Sequence, residues 1–72
     1  MSPAARKIRH LLERSRKAQN KRDCASAYHA LLQAVRAYGY ASGSDELSPS
    51  DAGLSEELHD QIVAVFDGCI GG

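Results

Sequence analysis

The chain has 72 residues, 43% of them hydrophobic, a formal charge of zero and two cysteines. That length permits one domain with a core that is only marginally stabilising; with few aromatics and no Trp, self-association is the cheapest further stabiliser. The composition excludes wholesale disorder, no run of about 18 apolar residues can span a membrane, and the basic start leads into an amphipathic segment rather than a secretory signal, so a cytoplasmic protein is expected.

The zero charge hides a division. Residues 1–22 carry eight Lys and Arg against Glu13, a net +7, and the remainder sets Arg36 against eight acids, a net −7. Such a split suits either a basic element for an anionic partner or two elements of one fold that attract each other.

Ser2 and Pro3 predict a helix start, with Ser as N-cap and Pro at the first helical position, where a missing amide hydrogen costs nothing. The first helix runs over about 3–19. Ala4, Ile8, Leu11, Ser15 and Ala18, with Leu12, repeat at the spacing of a helix–helix seam, and the basic residues lie on the other side. Carried on as one rod, the apolar stripe would swap sides before Tyr28, so the chain must turn around Gln19–Arg22. Asn20 with Asp23 three residues later reads as the cap of a second helix over about 21–40.

This second helix is the centre of the pattern. Cys24, Tyr28, Leu31, Val35 and Tyr38, widened by Ala25, Ala27 and Leu32, form its main apolar stripe. Ser26, Ala30, Gln33 and Ala37 form a second, uncharged seam of mostly small residues, which predicts contact on both flanks and assigns those four residues to a homodimer interface. Gly39 is the expected terminator, with Arg36 in the last turn.

Residues 42–53 turn to Ser, Gly, Asp and Pro and predict a loop, within which Ser48-Pro49-Ser50-Asp51 reads as a capped single turn closed by Gly53. A third helix follows over about 54–67, with Glu56 and Glu57 in its first turn and Leu58, Ile62, Val65 and Phe66, flanked by Val63, as its buried face. The expected architecture is therefore all-α: an antiparallel αα-hairpin plus a C-terminal helix, completed by dimerisation. Helices 1 and 3 running parallel would bring basic residues near Glu57, Asp60 and Asp67.

Site chemistry is sparse. His10, His29 and His59 make no ligand pair, Asp45, Glu46 and Asp51 do not match a calcium loop, and Gly39 with Gly43 makes no phosphate loop, so no metal, cofactor or catalysis is expected. Cys24 and Cys69 fall at one end of the bundle, yet without a secretory signal two reduced thiols are expected. Tyr28 and Tyr38 are expected in the core, and Tyr40, pointing away from Leu31, at an interface rim.

The strongest functional signal is the basic face of the first helix. The candidate partner-binding residues are Arg6, Arg9, Arg16 and Lys17, with Arg36 and Tyr40 from the second helix. A non-catalytic protein that binds and inhibits a larger protein is the favoured expectation. In size and style, though by no shared motif, it resembles the accessory proteins of phages and mobile elements. The alternative is a nucleic-acid-binding protein using the same basic face, although no aromatics interleave with the charges for stacking.

Overall fold

The structure, a computed structural model, describes residues 2–70. Its elements are α1 (Pro3–Asn20), α2 (Cys24–Gly43), a 3₁₀ turn (Pro49–Asp51), α3 (Leu54–Val65) and a π-helical turn (Phe66–Ile70). α1 and α2 form the expected antiparallel hairpin and α3 lies across both, making an all-helical body of 36 × 17 × 16 Å.

α1 begins as the sequence indicates. Ser2 is extended, its Oγ accepts from the Ala5 N–H at 3.1 Å, and Pro3 opens the first turn. The hairpin turn differs in its mechanism. Arg22 takes a left-handed φ of 60°, its N–H donates to the Gln19 carbonyl, and the Asp23 N–H donates to that of Ala18 at 2.9 Å. This paired closure satisfies the last carbonyls of α1 without Gly. Asp23, rather than Asn20, is then the N-cap of α2, accepting from the Ser26 N–H at 3.2 Å.

α2 does not stop at Gly39. It runs to Gly43 and closes in the same way, with Asp45 at φ 57° and the Glu46 N–H donating to the Ala41 carbonyl. Burial of Ala41 on the core rewards the extra turn, and Arg36 is therefore not in the last turn. Asp51 closes a capping box, its Oδ2 accepting from the Ser48 N–H and hydroxyl, both at 3.0 Å. The same oxygen accepts from the Ser2 hydroxyl at 3.0 Å, so the start of α1 is tied to the segment that launches α3.

The core corrects two expected faces. α2 buries Ala27, Ala30, Leu31, Ala34 and Ala41, while Tyr28, Leu32 and Val35 of the expected stripe are 49%, 37% and 38% exposed. Small residues prevail because they let the α1 and α2 backbones approach closely. Ile8, Leu11 and Leu12 of α1 supply the larger side chains of the same core. Tyr38 does pack against the core. On α3 the buried set is Leu54, Leu58, Gln61 and Val65, with Ile62 partly covered and Val63 and Phe66 turned outward.

A polar network crosses this core. Gln61 Nε2 donates to Ser15 Oγ and to Gln19 Oε1, both at 3.1 Å. The Ser15 hydroxyl donates to the Ala27 carbonyl at 2.8 Å, and Gln19 Nε2 to the Ala64 carbonyl at 3.0 Å. All three helices are thereby held in register.

At the same end of the bundle Cys24 and Cys69 form a disulfide, with a Cα–Cα distance of 5.6 Å and a sequence separation of 45. The expectation of two reduced thiols is overturned. The π-helical turn after α3 carries Cys69 to the start of α2, so the pairing that the helix layout allows is made, and the missing secretory signal is the wrong ground for expecting free thiols.

Candidate partner-binding groove

The charge division of the sequence is largely left open by the fold. Arg9 Nη2 meets Glu57 Oε2 at 2.9 Å, joining α1 to α3, and Lys17 meets Glu13 at 3.6 Å along α1. These are the two ion pairs among the described residues, and Asp60 and Asp67 do not take up the expected partnership with α1. Arg6, Lys7, Arg14, Arg16, Lys21 and Arg22 stand exposed.

Three of those cations share one side of the hairpin. Two shallow depressions run end to end along the α1–α2 seam and meet at Gln33, and no α3 residue lines either. Lys7, Arg14 and Lys21 stand on the α1 wall and Ser26, Gln33 and Tyr40 on the α2 wall. Ala4, Leu11, Ala18, Ala30 and Ala37 line the seam between them. Lys17, His29 and Arg36 add further polar groups, and His29 Nε2 lies 3.0 Å from the Gln33 side-chain nitrogen. Asp23 and Glu46 are the acids at the two ends.

The groove exists because each wall repeats every seven residues. Lys7, Arg14 and Lys21 follow Ala4, Leu11 and Ala18 by three positions, and Ser26, Gln33 and Tyr40 flank Ala30 and Ala37. A seven-residue period keeps one stripe on one side of a helix over several turns. From Lys7 to Lys21 the wall extends about 21 Å at about 1.5 Å per residue.

The structure thus sorts the sequence-derived candidates. Lys17 lines one end of the groove and Arg36 with Tyr40 the other, and Tyr40 is 74% exposed. Arg6 and Arg16 lie outside it, and Arg9 is engaged by Glu57. The four residues assigned to a dimer seam all line the groove, but Ala30 is only 6% exposed and Ala37 packs against the core of its own chain. The close approach expected of those small residues is therefore made in part by α1. Lys7, Arg14 and Lys21 were missed as a set, although their seven-residue spacing was visible.

Among the described residues no cluster of His, Cys, Asp and Glu is placed to hold a metal ion, and no described helix is long and apolar enough to cross a membrane. Comparison with protein-family models, curated proteins and solved structures finds no match to this chain.

Proposed function

We propose that this chain is a non-catalytic helical protein that binds an acidic surface of a larger protein through the α1–α2 groove and blocks what that surface otherwise does. One observation carries the reading: the basic wall of α1 is exposed and, apart from Lys17 with Glu13, unneutralised by the chain's own acids. Unpaired like charges on one wall contribute no attraction within the fold, whereas they speed encounter with an acidic partner. The floor of small apolar residues supports a protein over a nucleic acid, because phosphate contacts need cations but no apolar floor. The Cys24–Cys69 bridge favours an oxidising compartment over the expected cytoplasm.

The second reading, nucleic-acid binding, draws on the same cations and is separated by two measurements. Affinity capture from the source cells, with the Arg14→Glu/Lys17→Glu/Lys21→Glu variant as control, should retain a protein on the wild type alone. Titration with duplex DNA and RNA at physiological salt should show no binding. Tight duplex binding that the variant abolishes, without a retained protein, reverses the assignment.

A further inference from the structure

Taking the protein-binding reading as its basis, we infer that the partner presents an acidic amphipathic helix with a seven-residue repeat, laid along the α1–α2 groove on the side of the hairpin away from α3. The groove has what a helix requires and an extended peptide does not: two walls and a floor that all repeat every seven residues over the same length. An extended strand would present side chains at period two and meet these positions out of phase.

The hairpin already accepts one helix in this way. α3 seats Leu54, Leu58, Gln61 and Val65, at four- and three-residue steps, against α1 and α2, and sets Glu57 against Arg9 at the rim. The opposite side repeats the arrangement with stronger rim charge. Ala4, Ala18 and Ala37 leave room for apolar side chains of the incoming helix, and Lys7, Arg14 and Lys21 face the positions that flank them. In a heptad those flanking positions decide the choice of partner by charge, so Asp or Glu belongs there once per heptad. Tyr40 and Arg36 stand at the far end of the α2 wall, where a ring face and a guanidinium can close over the end of the helix.

The test uses the full disulfide-bonded chain as bait for a displayed library of helical peptides about three heptads long and unbiased in charge. Enriched peptides should share a seven-residue apolar repeat flanked by Asp or Glu. Their affinity should fall at least about tenfold on Arg14→Glu/Lys17→Glu/Lys21→Glu and on Gln33→Glu, which places a repelling charge on the opposite wall without touching the core. Amide shifts on titration should concentrate at Ala18, Ser26, Gln33 and Ala37. Enriched peptides that are basic or lack the repeat, or shifts centred on Tyr28 and Phe66, overturn the inference while leaving protein binding intact. Groove shifts that grow with protein concentration alone reassign the groove to a second copy and overturn it as well. No enrichment together with tight duplex binding removes the protein-binding reading itself.

Discussion

Gln61 and Ser15, 46 residues apart in sequence, are joined by a buried hydrogen bond of 3.1 Å from the Gln61 amide to the Ser15 hydroxyl. Both residues are almost wholly buried, at 4% and 0% exposed, where an unpartnered polar group costs more than a hydrogen bond contributes. Ser15→Ala should therefore destabilise by about 1–2 kcal/mol, and Gln61→Leu by a similar amount, because each leaves its partner underused. The double variant should cost less than the two singles together, since it removes donor and acceptor at once. Urea unfolding of all four proteins checks this, and strict additivity would show the pair to be uncoupled.

The Cys24–Cys69 bridge closes a loop with a sequence separation of 45, for which chain entropy gives about 4 kcal/mol. For a chain of this size that is comparable with the whole expected stability. Reduction, or Cys24→Ser/Cys69→Ser, should lower the unfolding free energy by about 3–4 kcal/mol and leave α3 the first element to exchange its amides. Denaturant midpoints with and without reductant, together with hydrogen exchange, supply the readout. Indistinguishable midpoints would show that the bridge adds nothing to the packed core.

Two glycines should respond in opposite directions. Gly39 sits inside α2 at negative φ, with nothing within 4 Å of where a Cβ would stand, so Gly39→Ala should stabilise by about 0.5–1 kcal/mol through lost unfolded-state freedom. A Cβ at Gly68 would stand 2.9 Å from Gln19 Nε2, an atom already committed to the Ala64 carbonyl. Gly68→Ala must displace that amide and should destabilise by about 1 kcal/mol. Thermal melts that moved in the same direction would contradict this account.

Those same residues show where the sequence was informative. Local chemistry read correctly where one side chain decides the outcome: Ser2 and Pro3 opening α1, and Ser48 with Asp51 forming the cap before α3. Helix ends were misread where Gly39 was expected to end α2 and Asn20 to cap it, whereas the hairpin turn closes at Arg22 and α2 closes at Asp45. Non-glycine residues hold the left-handed positions there, and the core contact of Ala41 settles the length of α2. The buried face of α2 was misread because hydrophobicity favours Tyr28 and Val35, whereas close packing of two helices favours Ala27, Ala30 and Ala34. Of the residues lining the groove, Lys17, Arg36, Tyr40 and the expected dimer seam of Ser26, Ala30, Gln33 and Ala37 stand out in the sequence, whereas Lys7, Arg14 and Lys21 do so only once the hairpin sets α1 beside α2.

Asp51 gives a pH signature. The Ser48 N–H holds its carboxyl below the ordinary value of 3.8, burial opposes that, and the Ser2 and Ser48 hydroxyls add to the lowering. A carboxyl depressed by folding contributes stability that is complete above its unfolded pKa and lost as pH falls through the folded one. Asp51→Asn should therefore be less stable than wild type at about pH 7, with the gap narrowing towards about pH 2 as wild-type Asp51 protonates. Melting both proteins across that range provides the check, and a gap constant with pH would assign the loss to shape rather than charge.

The basic wall should be nearly silent in stability, which is what separates a binding surface from a structural one. Arg14, Lys17 and Lys21 are exposed, and of the three only Lys17 has an acid within reach, Glu13 at 3.6 Å with both side chains well solvated. Reversing all three to Glu should shift the unfolding free energy by less than about 1 kcal/mol, because exposed pairs contribute about 0–1 kcal/mol each and relief of like-charge repulsion works the other way. By contrast Leu12→Ala, at a fully buried α1 position, should cost about 2–5 kcal/mol. Urea denaturation of the two variants beside wild type makes the comparison. If the charge-reversed chain were destabilised as strongly as the core variant, those cations would be holding the hairpin together rather than standing open to a partner.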